Sequence, residues 1–111
     1  MFCSLQEAFE LFLIPWYTGG REIVLSVDGG KGGSEECKIE FISPGSKSVV
    51  DILLKRSGAH KTLDLSSASF SYEDSRAGIV PELVAKRWVC FLLAEFPDGR
   101  SLLFAEPLVL R

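Results

Sequence analysis

The sequence predicts a mainly β domain preceded by one short helix, and three observations carry that expectation. Apolar and polar residues alternate in several runs of strand length, the period of a strand half buried against a core. Glycine, proline, serine and aspartate cluster between those runs, where turns need them. Helical spacing with a helix-start pattern is clearest near the N-terminus, in residues 4–14.

The chain has 111 residues, the length of one domain, read as 1–111 with an N-terminal helix in 1–15 and a β-sandwich in 21–111. Net charge is −3 and the pI is about 5.1. No basic stripe is present, so nucleic acid is not an expected partner. No apolar run reaches the roughly 18 residues of a membrane span, and Glu7 and Glu10 interrupt the first apolar stretch, so neither a secretory signal nor a membrane partner is expected. Cys3, Cys37 and Cys90 are three in number and fall in no metal-ligand spacing. Cys37 and Cys90 sit in strand-like runs, so buried free thiols in a reducing cytoplasm are expected.

The helix begins at Ser4, which stands three residues before Glu7 in a capping box. Leu5, Ala8, Phe9, Phe12 and Leu13 follow helical spacing, and Pro15 is expected to end the run. Residues 15–20 read as a turn carrying Trp16 and Tyr17. Ile23, Leu25 and Val27 alternate through the first strand. The glycine-rich loop 29–33 leads into another strand, not a helix, so it lacks the context of a phosphate cradle. Cys37, Ile39 and Phe41 mark the second strand, residues 43–46 a turn, and Val50, Ile52 and Leu54 the inward face of the third. Residues 57–61 read as a loop holding His60, the one histidine. Leu63 with Leu65, and Phe70 with Tyr72, stand at strand spacing, with Ser66 and Ser67 separating two short strands or marking a bulge. Pro81 and Glu82 suit the start of a single helical turn.

Residues 87–111 form the closing hairpin, the element around which the rest is expected to build. Pro97, Asp98 and Gly99 match a three-residue hairpin loop with its left-handed position at glycine. Facing Phe96 with Arg100 sets Ala94 against Leu102, Leu92 against Phe104 and Cys90 against Glu106. Trp88, Cys90, Leu92, Ala94, Leu102 and Phe104 then share one face. Val89, Phe91, Leu93, Leu103 and Ala105 share the other. Both faces are apolar, so one needs a cover beyond its own sheet. Pro107 implies an edge or a bulge at the end of the last strand. The count is about seven strands. An immunoglobulin-like β-sandwich is the expected fold, with a small partly open β-barrel as the second reading.

Part of residues 63–70 resembles the Asp-x-Ser-x-x-Gly signature of PilZ domains, but Ser69 stands at the glycine position and the upstream arginine pair is missing, so no family is assigned.

For chemistry, Asp51, Asp64, Glu73, Asp74 and His60 are the available acid–base groups, and no spacing converges them. No catalytic residue, cofactor site or metal site is assigned, and no cofactor is expected; the protein is read as not an enzyme. The surplus of apolar surface points to a protein–protein interaction or assembly module whose partner is another protein or itself, with a homodimer expected. Leu5, Phe9, Phe12, Leu13, Phe91, Leu93 and Leu103 are the interface candidates. The alternative is a small-ligand-binding β-domain with an aromatic-lined pocket of Trp16, Tyr17 and Tyr72.

Overall fold

The computed structural model describes residues 1–42, 48–76, 78 and 80–108. The expected turn at 43–46 lies outside the described residues. Among the described residues the chain is mainly β: eight antiparallel strands in one sheet, with one N-terminal helix of 14 residues. The strands are β1 (Phe2–Cys3), β2 (Glu22–Val27), β3 (Ser34–Ile42), β4 (Val49–Leu54), β5 (His60–Asp64), β6 (Ser69–Asp74), β7 (Trp88–Glu95) and β8 (Ser101–Pro107). Their order is β1-β6-β7-β8-β2-β3-β4-β5, so the closing hairpin is central. The sheet curls until β5 shares a cleft with the tip of the β7–β8 hairpin. A sandwich is consistent with this wrapped arrangement, although the strands are joined in one sheet. Among the described residues β1 and β5 are the two ends of the sheet.

Helix α1, residues 5–18, fills the concave side. It comprises an α-helical start Leu5–Ala8, a π-helical middle Phe9–Leu13 and an α-helical end Ile14–Thr18. The capping box forms as expected: the Glu7 N–H donates to Ser4 Oγ and the Ser4 N–H to Glu7 Oε1, each at 3.1 Å. Pro15 does not end the helix, which runs one turn further. The π segment explains why. A regular helix would need an N–H at Pro15 for the Leu11 carbonyl, and proline has none. Here the Ile14 N–H reaches back five residues to the Phe9 carbonyl, and the Leu11 carbonyl instead accepts from Arg76 Nη2 at 3.2 Å. The wide turn absorbs the proline. Gly19 and Gly20 end the helix, Gly20 in the left-handed region at φ +60°, with the Arg21 N–H donating to the Trp16 carbonyl.

One core joins helix and sheet. Ala8, Phe9, Phe12, Leu13 and Trp16 pack with Ile23, Leu25, Cys37, Ile39, Val50, Ile52, Leu54, Leu65, Phe70, Cys90, Leu92, Ala94 and Phe104. Trp16 Nε1 donates to Glu106 Oε1 at 2.8 Å, so the buried indole has its partner and the helix end is tied to β8. β1 is the strand that apolar pattern does not reveal. It is two residues long and pairs with β6 at Phe2 with Ser71 and Cys3 with Phe70, covering part of that edge.

Two register shifts change which residues face inward. In β3 the shift between Ile39 and Phe41 leaves Phe41 47% exposed, and Ile42 packs on the core instead. In β7 the shift between Trp88 and Cys90 brings Val89 to the core and leaves Trp88 lining the convex side beside Phe91 and Leu103. Trp88 therefore does not share a face with Cys90 and Leu92, as strict alternation predicts. Although β8 lies between β7 and β2, its ladder with β2 stops at Ala105, so Pro107 falls beyond that pairing and opposite Trp88 at the β7 register shift. The remaining hairpin register is as expected, with Cys90 opposite Glu106, Leu92 opposite Phe104 and Ala94 opposite Leu102. The Phe96 N–H donates to the Arg100 carbonyl at 2.8 Å, and Gly99 takes φ +89°.

The three cysteines are free thiols. Burial, with the Glu35 charge second, pushes the Cys37 thiol up to about 12. Burial also takes Cys90 to about 12, partly opposed by Arg76. The thiolate is the reactive form. A chromogenic thiol reagent at pH 8 is therefore expected to titrate at most one thiol, Cys3, in the native protein and all three after denaturation. Fast modification of two or more in the native state would contradict this burial.

Candidate functional site

The convex side of β7 and β8 carries a contiguous apolar surface. Residues directly opposite one another on neighbouring strands project to the same face, so the register defines its rows. One row reads Ser71, Leu93, Leu103, Ser26, Ser34, and the next Glu73, Phe91, Ala105, Val24, Glu36. Phe91, Leu93, Leu103 and Val24 are half-buried and contiguous, with serines and glutamates at the row ends. The hydroxyls of Ser26 and Ser34 lie 2.9 Å apart.

Helix α2 (Pro81–Ala85) starts with Pro81 in its first turn, as expected, and buries Leu83. Between it and the sheet lies a groove of about 280 Å³, lined by Glu73, Val80, Glu82, Leu83, Lys86, Trp88, Phe91 and Leu103. Lys86 Nζ stands 5.7 Å from the Trp88 ring centroid. Val84, on the same short helix, is exposed. Among the described residues, the second apolar face of the hairpin is thus partly roofed by a helix and otherwise open.

The interface candidates divide. Phe9, Phe12 and Leu13 are buried, and Leu5 is half-buried against them, all within this chain. Phe91, Leu93 and Leu103 stand together on the convex face. The pocket candidates line neither this groove nor the cleft beside β5; Trp16 and Tyr72 both pack on Phe12. Trp16 is a core residue, Tyr17 packs beside the core, and Tyr72 OH bonds Met1 Sδ at 2.9 Å. Trp88, Val24 and Leu83 are members of the convex surface that strand alternation alone did not identify. The bulge hides Trp88, and Val24 looks outward in its own strand.

A cleft of about 350 Å³ opens where the curled sheet brings β5 to the hairpin tip. Val27, Leu63, Phe96 and Leu102 give it apolar walls; Asp28, Asp64 and Arg100 stand among its polar lining. Asp28, with φ +51°, accepts from the Ser101 N–H at 2.9 Å. Asp64 accepts from the Ser66 N–H at 3.0 Å, and its bonds to Ser66, with Ser48 contributing, hold the carboxyl below its ordinary range.

The acid–base groups are dispersed into local pairs. His60 Nδ1 lies 2.8 Å from Glu40 Oε2, Thr62 Oγ1 donates to Asp51 Oδ1 at 2.7 Å, and Arg76 grips Asp74 through two bonds of 2.9 Å. Among the described residues no group of three histidine, cysteine, aspartate or glutamate side chains is placed to share a metal ion. No helix among them is long and apolar enough to cross a membrane. Compared with known proteins, the chain matches no family model, no curated protein and no solved structure.

Proposed function

We propose that this protein is a non-catalytic interaction module that self-associates through the convex face of β7 and β8. The observation that carries the reading is the contiguous apolar block of Phe91, Leu93, Leu103 and Val24, bordered by serines and glutamates and adjoining the Trp88 groove. An apolar centre with a polar rim is the anatomy of a protein contact surface. The groove has room for an apolar side chain of the partner. Three unpaired thiols fit a reducing compartment such as the cytoplasm.

The test is solution mass by light scattering over a concentration series, on the wild type and on Leu103→Glu. Leu103 is half-buried and lies on the outer face, so the variant is expected to keep the wild-type circular dichroism while its dimer dissociation constant rises at least tenfold, the equivalent of ~1.4 kcal/mol. A folded Leu103→Glu that associates like the wild type overturns the reading. A wild type that stays near 12.2 kDa at every concentration also removes self-association.

A small-ligand domain is the second reading, favoured by the 350 Å³ cleft beside β5, a volume within the range of ligand sites. A melting temperature unmoved by a broad panel of metabolites counts against it.

A further inference from the structure

We propose a second self-association surface, beyond the convex face: the outer edge of β5 pairs with the same edge of a second copy, antiparallel about a two-fold axis through Thr62. β5 ends the sheet, and among the described residues no strand pairs with its outer side. His60, Lys61, Thr62 and Asp64 are exposed, and Thr62 and Asp64 border the open cleft facing the hairpin tip.

The phase of the backbone decides which groups are free. The Leu54 N–H donates to the Ala59 carbonyl, and the Leu65 N–H to the Ser48 carbonyl, each at 2.8 Å. Between these two bonds β4 and β5 pair without a shift, Ile52 with Lys61 and Val50 with Leu63. Bonded and non-bonded pairs alternate along an antiparallel ladder. Lys61 and Leu63 therefore bond inward to β4, and His60, Thr62 and Asp64 turn their N–H and C=O outward.

An antiparallel copy centred on Thr62 sets Thr62 opposite Thr62, and His60 opposite Asp64 at both ends. Every outward residue then meets another outward residue. The three facing pairs each exchange two hydrogen bonds. An axis through Lys61 or Leu63 also sets outward residues opposite one another, but it engages two facing pairs within β5 where the axis through Thr62 engages three. Charged residues at an edge usually deter pairing, but in this register Thr62 meets Thr62, His60 meets Asp64 and Lys61 meets Leu63, so no like charges face each other across the contact. Each chain offers the same patch to the other, the condition for a closed two-fold contact.

Thr62→Pro tests it. The substitution removes an outward N–H and leaves the β4 ladder intact, and proline is tolerated on an edge. The variant is expected to show wild-type circular dichroism and at least tenfold weaker association by light scattering. Cross-linking gives a second readout that does not depend on Thr62→Pro folding. In a Cys3→Ser background, Thr62→Cys is expected to form a disulfide dimer under mild oxidation, because facing Cα atoms in such a pair stand ~5.5 Å apart. Lys61→Cys, which faces Leu63 of the second copy, is expected not to link to itself. Folded Thr62→Pro that associates like the wild type, or Thr62→Cys that links no faster than Lys61→Cys, overturns the proposal. Association lost in Leu103→Glu but kept in Thr62→Pro rejects the edge alone; the reverse pattern rejects the convex face alone.

Discussion

Phe12→Ala is expected to lower stability by about 3–5 kcal/mol, the usual cost of a large-to-small change at a buried aromatic. Phe12 is completely buried at the centre of the curled sheet. Its ring centroid lies 5.6 Å from that of Trp16 and 5.2 Å from that of Tyr72, both tilted, and the Arg76 guanidinium carbon stands 5.3 Å from it. The substitution removes helix-to-sheet packing at its densest point and leaves a cavity that a closed core fills poorly. At roughly 4 °C or more per kcal/mol for a domain of this size, the melting temperature should fall by 12 °C or more. Thermal unfolding followed by circular dichroism measures it. A variant that melts within a few degrees of the wild type would show that Phe12 is not a core residue. The contrast with Leu103→Glu is the sharper test. One apolar residue supports the fold and the other is expected to support only association.

Arg76→Met should cost about 2 kcal/mol, through lost charge-assisted hydrogen bonds discounted for the water that reaches the pair. Arg76 holds three things together. It bonds both oxygens of Asp74, donates to the Leu11 carbonyl that Pro15 leaves without a helical partner, and covers the Phe12 ring. Methionine keeps part of the packing and none of the donors, so the π turn loses the group that satisfies it. Acid unfolding gives an independent check. Burial alone would raise the Asp74 carboxyl, and the hydrogen bonds and charge of Arg76 outweigh it and hold the group below its ordinary range. A carboxyl depressed in the folded state contributes stability above its unfolded value, ~3.9 for aspartate, and loses it as pH falls through the folded value. The difference in stability between wild type and Arg76→Met should therefore be full at neutral pH and shrink below about pH 4. A difference that is flat from pH 7 to pH 3 would remove Asp74 from the account.

Local chemistry decided much of this fold. Ser4 and Glu7 start the helix because their side chains satisfy its first free N–H groups. Pro97 to Gly99 sets the hairpin register because only certain residues accept those dihedrals. The alternation in Ile23, Leu25 and in Val50, Ile52, Leu54 names core positions because a strand has a period of two. Each of these features depends on residues a few positions apart, and each is visible in the sequence.

What the tertiary structure alone decided are the features that depend on distant partners. Pro15 reads as a stop until Arg76, far along the chain, supplies a donor for the Leu11 carbonyl. Trp88 and Phe41 read as inward until one extra residue in each strand turns them outward, and a bulge is set by the neighbouring strand. The apolar stripe of α1 suits packing on its own sheet and an interface alike until the sheet is seen to curl around it. The candidate site divided along the same line. Phe91, Leu93 and Leu103 could be named from alternation, because facing outward is a local property of the hairpin. Their assembly with Val24, Leu83 and Trp88, and the free edge at His60, Thr62 and Asp64, arise only from strand order and hydrogen-bond phase. Those are properties of the whole sheet, and no short stretch of sequence contains them.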